Sequence, residues 1–588
     1  MNFRELRILF KSLSPIIKNG FKSGQLFNPT CQLLPADEDI LCEFDVKIPM
    51  SEGFFLTANI FRSKKAENAS QKVPVVMCAH PYDNHKIPVL KKTLGNGPPQ
   101  QYRIIPQGGG TPSFSELTSW ESPDPNFWVK SGYAVVNLNL PGFANSEGPP
   151  SIISQHQAKC YYEAIEWIAQ RPWSTGKVGL NGVSFLAISQ YAVAFTEVYG
   201  GPPPSLKCIS PWEGMSDLYQ DVACFGGVPD LGFLTFWWHT EVKGVINGTI
   251  EAFKKEEGAL PVEYLDHHPN YDAFWKAKVP KLEKIDLPML ICASFSDHGL
   301  HTMGSFRAYE KAKSKHKWIY THRTGKWVAY YSKEVQELTK KFMDCFLLDQ
   351  KDNGFLEIPS VRLEVRSAKD DIREVRYEKE WPIARTAYKK LFLQPDELVL
   401  EPFSSETNGT IEYSGRGGRV VLRHLFKEDT ELSGYLKLKL WVESGAKNSD
   451  VPPKDMNIFV GVKKYTAQNE ENTFYGSVGI DWDMVTRGSL KVSKRGLNEE
   501  ESRAFHPVYT GAESQFLRPG EVVPVEIALY PQSTFFSKNE VLELIVSSKG
   551  IIPSRPFQKS TTGNDGVHII HAGGDYDSHL LIPIIPGA

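Results

Sequence analysis

A chain of 588 residues is too long for one hydrophobic core, since cores stop growing near about 250–300 residues, so two or more domains are expected. With 41% hydrophobic and 23% charged residues, the composition is that of an ordinary folded protein. A formal net charge of −3 leaves no basic footprint for nucleic acid or an anionic membrane, so a small molecule or a peptide is the expected partner.

The N-terminal stretch MNFRELRILFKSLSPIIKNGFK carries Arg, Glu and Lys among its apolar positions and lacks the unbroken apolar region of a secretory signal. No uncharged apolar run reaches the roughly 18 residues of a membrane span, so no membrane insertion is expected. The eight cysteines stand singly, without a C-x-x-C pair, and read as buried thiols of a reducing, cytoplasmic compartment.

Short apolar runs then recur: VPVVMCAHPYD from Val73, YAVVNLNLPG from Tyr133, KVGLNGVS from Lys177, LKCISPW from Leu206, LPMLICASFSD from Leu287 and HKWIYTH from His316. They read as strands buried on both faces, and helix-like stretches such as HQAKCYYEAIEWIAQRP alternate with them. That alternation predicts an open, mostly parallel α/β sheet. From 215 to 286 it gives way to aromatic, helix-like sequence, which predicts a cap inserted over the sheet's carboxyl edge. After 354 β-patterned pieces dominate, among them SGYLKLKLWVES and EVLELIVSS, and predict an all-β jelly-roll sandwich over 355–588. The expected organisation is an N-terminal segment 1–44, an α/β domain split into 45–214 and 287–354, the cap over 215–286, and the sandwich.

Ser184 falls between a predicted strand and a predicted helix. A serine on such a turn has its hydroxyl held above the sheet, and the next amide is aimed at a reacting carbonyl oxygen. Gly182 supplies the small residue the turn needs before the serine, and Ala187 supplies one after it. The alternative is a serine that merely caps the helix. A nucleophile needs a base and an orienting acid, which hydrolases on such sheets supply in the order Ser, Asp, His from successive strand ends. Asp297 closes one strand and His322 the next, so these two are the expected acid and base. His298 and His301 share the acid's own loop and are less easily placed beside Ser184.

With these residues in view, the chain resembles the cocaine esterase-like serine hydrolases, which include α-amino-acid ester hydrolases and X-prolyl dipeptidyl aminopeptidases. The resemblance rests on HPYD (His80 to Asp83), PGFANSEG (Pro141 to Gly148), WIAQRPWSTGKVGLNGVSFLA (Trp167 to Ala187), EGMSDLYQDVACFGG (Glu213 to Gly227), FSDHG and DSHLLIPIIPG. It implies an α/β-hydrolase domain with a helical cap and a jelly roll. It also implies an oxyanion hole built from the Phe185 amide and the Tyr82 hydroxyl; Tyr82 read without the resemblance is a tyrosine packing its ring in a turn. Where many relatives have D-x-R-G, this chain has Asn139, Leu140, Pro141 and Gly142, so that loop must be stabilised otherwise. The segment from Gly95 to Trp128 is enlarged and is expected near the entrance.

The expected reaction is hydrolysis of a small-molecule ester or related acyl compound through an acyl-enzyme. Phe225, Phe233, Phe236, Trp237 and Trp238 are expected either to line the substrate pocket or to pack the cap onto the sheet. A peptidase is the second reading, with Glu213, Asp217 and Asp221 available for a substrate's charged N-terminus. Acyl transfer to an alcohol, or cleavage of a carbon–carbon bond, would use the same groups. No metal-ligand constellation, phosphate loop or dinucleotide fingerprint is present, so neither metal nor cofactor is expected. The sequence leaves a homodimer open.

Overall fold

The computed structural model describes residues 3–10, 14, 17, 31–86, 107–446, 451–477, 480, 482–551 and 566–587. Its central sheet comprises β1 (Ile40–Pro49), β2 (Phe55–Ser63), β3 (Val73–His80), β4 (Ala134–Asn139), β5 (Ser174–Val183), β6 (Leu206–Trp212), β7 (Met289–Ser294) and β8 (Lys317–His322). They lie in the order β1-β2-β4-β3-β5-β6-β7-β8, antiparallel across β1, β2 and β4 and parallel beyond. Every residue of β3, β4 and β7 is buried, which is why these strands read as continuous apolar runs rather than alternating ones.

Helices cover the sheet. In α1 (Gln155–Ala169), the Ser154 side chain accepts from the Gln157 amide at the first turn, and Cys160, Ala164, Ile165 and Ile168 form the buried stripe. Helix α2 (Phe185–Ala194) has no polar face to spare, because nine of its ten residues are buried.

The cap fills the chain between β6 and β7, with α3 (Gly232–Trp237) and α4 (Ile250–Glu257) among its short helices. Thr249 caps the start of α4, and Gly258 ends it at φ 80°, a left-handed conformation that glycine adopts without steric cost. Glu257 ties the cap down: its carboxylate accepts from Lys278 Nζ and the Ile152 amide at 2.7 Å each, and from the Tyr264 hydroxyl at 2.8 Å. With Lys278 and Glu257 both buried, removing either partner would strand a charge in the interior.

Beyond β8 the sheet runs directly into the C-terminal domain, because β9 (Val361–Ala368) pairs parallel with it, Ile319 opposite Val361. The rest of that domain is mostly antiparallel, with short parallel contacts at Arg366 opposite Thr534 and Val399 opposite Arg423. Arg419–Leu425, Val541–Ser547, Asn457–Tyr465 and Thr486–Lys491 make one group of strands. Ala387–Gln394, His579–Ile585, Lys437–Gly445 and Val523–Ala528 belong to the other. Leu422, Leu440, Val460 and Leu544 are among the fully or almost fully buried residues of its separate core. The catalytic core, by contrast, is continuous with the cap and takes in Trp238, Phe253 and Trp275.

The loop without D-x-R-G is held by a buried amide and hydroxyl network. Asn139 Oδ1 accepts from the Asn84 amide at 3.0 Å, Asn139 Nδ2 donates to Thr57 Oγ1 at 3.0 Å, and Ser146 Oγ donates to the Asn139 carbonyl at 2.7 Å. All eight cysteines are free thiols. Among the described residues, no helix is long and apolar enough to cross a membrane.

Candidate active site

Ser184 stands between β5 and α2 at φ 60° and ψ −117°, a backbone conformation that side-chain-bearing residues avoid unless their surroundings enforce it. The enforcement is visible: the Ser184 amide donates to the Trp212 carbonyl at 3.0 Å and the Val183 amide to the Glu121 carbonyl at 3.2 Å. Gly182 sits at φ 153°, and a Cβ added there would stand 2.6 Å from Leu186 Cβ. Ala187 is small for a reason on the helix side, since even a Cβ on Gly214 would approach its methyl group to 3.0 Å. Gly182→Ala is therefore expected to lower stability by about 1–3 kcal/mol, read as a fall in the thermal midpoint.

Ser184 Oγ lies 3.1 Å from His301 Nε2, and His301 Nδ1 lies 2.5 Å from Asp297 Oδ2. Asp297 and His301 are four residues apart on one turn, in which the His301 amide donates to the Asp297 carbonyl at 3.2 Å; α5 (Thr302–Lys311) follows directly. Side chains spaced i and i+4 on a helical turn share a face, so the acid's own loop can deliver the base as well.

This corrects the expectation for His322. Its place at the end of β8 is as expected, in register with Ser294 of β7, but its side chain is not directed at Ser184. His322 still belongs to the strand, and the pleat puts it on the same side as Tyr320, with its ring stacked on Trp212 at 5.8 Å. Its Nε2 lies 3.0 Å from Glu213 Oε1. A base must rise above the sheet, and the Asp297 to His301 turn does so while a residue within β8 does not. The spacing D-x-x-x-H in FSDHGLH was the signal that could have found it.

The surroundings of this trio are charged and buried. Lys326, the first residue of α6 (Lys326–Tyr330), donates to Asp297 Oδ2 at 2.7 Å, and its Nζ also lies 3.1 Å from His301 Nδ1 and 4.0 Å from Glu213 Oε2. Burial works against the charge of Asp297, yet Lys326 and then His301 hold its carboxyl well below the usual carboxylate range. Burial first, and then the Lys326 ammonium, push the His301 imidazole below its ordinary value against the opposing pull of Asp297. Glu121, accepting from Trp327 Nε1 at 3.1 Å, is pushed by burial up to about 8 and is mostly protonated at neutral pH.

The C-terminal domain reaches this site. The Ser477 hydroxyl donates to Asp297 Oδ1, the carboxylate oxygen turned away from His301. Nearby, Arg487 Nη2 donates to the His298 carbonyl at 2.9 Å, and Arg323 donates to the carbonyls of Tyr475 and Val485 at 3.2 and 2.9 Å. The sandwich thus fixes the loop that carries both Asp297 and His301.

Tyr82 and Phe185, the residues expected to form an oxyanion hole, both line the cavity that opens on Ser184. Their rings meet edge to face at 6.1 Å, and Tyr82 Oη accepts from Trp237 Nε1 at 3.0 Å. Burial and then the nearby Glu121 carboxyl raise the Tyr82 phenol well above its ordinary value, so it keeps its proton and can donate. The Phe185 amide belongs to the first turn of α2, where N–H groups have no partner within the helix.

An apolar cavity opens on Ser184 and His301, bounded by Tyr82, Ile152, Phe185, Ile188, Met215 and Leu218, with Phe233, Leu234, Trp237 and Leu300 from farther along the chain. Of the five aromatics expected in a pocket, Phe233 and Trp237 line it, one helical turn apart on α3. Phe236 and Trp238 are not among the residues lining it, and Trp238, just past α3, packs on Phe253 at 4.8 Å. Phe225 belongs to the domain junction: it stacks on Tyr530 at 4.4 Å, and its carbonyl accepts from Ser489 Oγ at 3.0 Å. The first part of the enlarged segment, 95–106, lies outside the described residues. The rest buttresses the serine turn through Glu121, and Trp120 packs on Trp327 at 5.1 Å, rather than lining this cavity.

Glu213, Cys292 and His322, and likewise Glu213, Asp297 and His301, bring three donor atoms within 4.8 Å of one another. In both groups the histidine is already turned on protein partners. The Thr324 amide donates to His322 Nδ1 at 3.2 Å, which leaves Nε2 as the donor to Glu213, while Lys326 occupies Asp297.

A serine on a strained strand-to-helix turn, above an eight-stranded sheet of this order and beneath a helical cap, is the framework of an α/β-hydrolase. Residues 52–327 match the X-Pro dipeptidyl-peptidase (S15) family, and residues 353–581 match the X-Pro dipeptidyl-peptidase C-terminal non-catalytic domain. A CocE/NonD family hydrolase from Staphylococcus aureus superposes with a TM-score of 0.83 at 33% identity, over 95% of this chain and 100% of that one. The cocaine esterase of Rhodococcus sp. (strain MB1 Bresler) is 22% identical over 92% of this chain and 98% of its own. A putative Xaa-Pro dipeptidyl-peptidase of Rhodopirellula baltica is 20% identical over 92% and 90%. The chain belongs to the CocE/NonD hydrolases, serine hydrolases related to the S15 peptidases.

Proposed function

We propose that this chain hydrolyses carboxylic esters with an apolar acyl or leaving group, using Ser184 as nucleophile, His301 as general base and Asp297 as the acid that orients it. The observation that carries the reading is the unbroken contact from Ser184 Oγ through His301 to Asp297. As Ser184 Oγ bonds to the ester carbonyl carbon, its proton passes to His301 Nε2, and Asp297 stabilises the imidazolium that forms. Tyr82 Oη and the Phe185 amide receive the negative charge that develops on the carbonyl oxygen, each such donor being worth on the order of 3 kcal/mol of barrier. Collapse expels the alcohol, which takes the proton from His301. Water activated by the same imidazole then attacks the acyl-serine, releases the acid and restores Ser184.

Ester specificity is favoured over X-Pro peptidase specificity by the cavity lining, which among the described residues contains no carboxylate to receive a substrate's N-terminal ammonium. The three acids considered for that role are engaged elsewhere. Glu213 faces His322, Asp217 accepts from the Tyr271 hydroxyl at 2.5 Å, and Asp221 is held by Arg307 Nη1 and Nη2 at 3.0 and 2.9 Å.

The test compares kcat/KM for short and medium-chain p-nitrophenyl esters, amino-acid p-nitrophenyl esters and X-Pro p-nitroanilides. The apolar esters are expected to lead by about a hundred-fold or more, the scale of leaving a substrate's charge unpaired in a dry pocket. A preference for substrates with a free amino terminus would replace the esterase reading with the peptidase one. Product analysis with added alcohols separates hydrolysis from acyl transfer.

A further inference from the structure

The Ser, His and Asp of the proposed mechanism account for three of the buried polar groups at this site and leave Lys326 without a task. A lysine is among the costliest side chains to bury, and it remains charged in an interior only when carboxylates surround it. Lys326 is 3% exposed and stands at hydrogen-bond distance from Asp297 Oδ2, 2.7 Å, and from His301 Nδ1, 3.1 Å.

We propose that Lys326 is a positioning residue whose buried ammonium clamps Asp297 onto His301 and keeps the imidazole in its unprotonated, base form. The inference rests on the Ser184, His301 and Asp297 assignment above.

The geometry carries it in two ways. Asp297 has each oxygen engaged. Oδ1 accepts from Ser477, and Oδ2 is shared between His301 and Lys326, so the carboxylate cannot rotate without breaking a buried contact. The second way is electrostatic. A positive charge 3.1 Å from Nδ1 opposes a second proton on the imidazole, which Asp297 by itself would favour.

The charged and titratable groups facing His301 are Asp297 on its own turn, Lys326 from α6 and Glu213 from the end of β6. Lys326 in turn faces Asp297, Glu213 and Glu121, and these carboxyls raise its ammonium above the ordinary lysine value although burial pulls the other way. The cation therefore persists through the pH range in which His301 must be neutral. The sign follows: removing the cation stabilises the imidazolium, raises the histidine's midpoint and moves the acid limb of activity to higher pH.

The experiment needs no knowledge of the natural substrate. The second-order rate constant for phosphonylation of Ser184 by a fluorophosphonate is measured by intact mass between pH 4.5 and 9 for wild type, Lys326→Met, Lys326→Gln and Lys326→Arg. Thermal unfolding is followed in parallel. The wild-type acid limb is expected below about 6.5, the ordinary histidine value. The Met and Gln variants should shift it upward by on the order of one pH unit, and the Arg variant should stay close to wild type.

Gln keeps an N–H donor for Asp297 while dropping the charge, so a shift in Gln equal to that in Met assigns the effect to charge. Folded Met and Gln variants with an unmoved limb overturn the proposal, whatever their rates, because a merely structural lysine changes amplitude and not midpoint. Should neither variant fold, a wild-type limb at or above the ordinary histidine value overturns it and a lower one supports it. A wild type that is labelled at no pH removes the serine hydrolase reading itself, and this inference with it.

Discussion

His301→Ala is expected to lower kcat by about a million-fold, as is Ser184→Ala, with the double variant little worse than either. Non-additivity follows from the geometry. Ser184 Oγ touches His301 Nε2, the proton acceptor in the proposed mechanism, so losing either member stops the same step. What remains is the catalysis owed to binding and to the oxyanion donors.

His322→Ala is the informative contrast. It removes the partner of Glu213 and a ring stacked on Trp212, and should lower stability by about 1–3 kcal/mol, the cost of leaving a buried acceptor unmatched. The chemical step should survive within about ten-fold, because His322 contacts neither Ser184 nor Asp297 in the structure. Steady-state kinetics on the best ester, with thermal unfolding of each variant, separates the two histidines. A His322→Ala variant that folds normally but loses as much activity as His301→Ala would reverse the assignment made here.

The second large effect is expected at the oxyanion site. Tyr82→Phe should cost about a hundred- to a thousand-fold in kcat, with little change in KM, since a donor aimed at the developing oxyanion acts mainly in the transition state. The Trp237 indole N–H donates into Tyr82 Oη, so the phenol's own proton is left for the substrate rather than shared with the cap. Trp237→Phe should accordingly give a smaller loss in the same parameter, and the double variant should fall no further than Tyr82→Phe alone. Near-wild-type turnover for Tyr82→Phe would remove its hydroxyl from the reaction and leave the Phe185 amide as the remaining donor.

The engagement of both Asp297 oxygens gives the C-terminal domain a chemical reason to stay attached. Ser477 reaches Asp297 from a domain that shares no sequence neighbourhood with it, and Arg323 and Arg487 pin the same region through backbone carbonyls. Cap and sandwich also meet closely at Gly226, where an added Cβ would lie 1.8 Å from the Ser489 carbonyl oxygen. The active-site loop is therefore braced from two sides by parts of the chain that contribute no nucleophile.

Much of this molecule was legible in the sequence because the signals are local. Runs such as VPVVMCAH and LPMLICAS could be buried on both faces only inside a parallel sheet, and the stretch ending in GVSFLA marks the serine turn by its small residues. Asp297 was readable as an acid just past a buried strand. The cap was readable as an interruption of the rhythm, and the division among its aromatics follows from the turn of α3, which carries Phe233 and Trp237 to one side.

The histidine that faces Ser184 was not legible in that way. Chain order pointed to the next strand's end, but a strand residue's direction is set by the pleat, and the pleat turned His322 toward Trp212 and Glu213. His301 became the partner of Ser184 because a single turn after β7 lifts Asp297 and the histidine four residues on above the sheet together. Lys326 and Ser477 could not have been drawn into the same site from any local pattern, since they come from a different helix and a different domain. The sequence by itself determined the layers, the serine turn and the place of Asp297 just past a buried strand. Which histidine faces the serine, and which charges surround it, were decided by side-chain direction and by contacts between segments far apart in the chain, and these exist only once the sheet, cap and sandwich have packed.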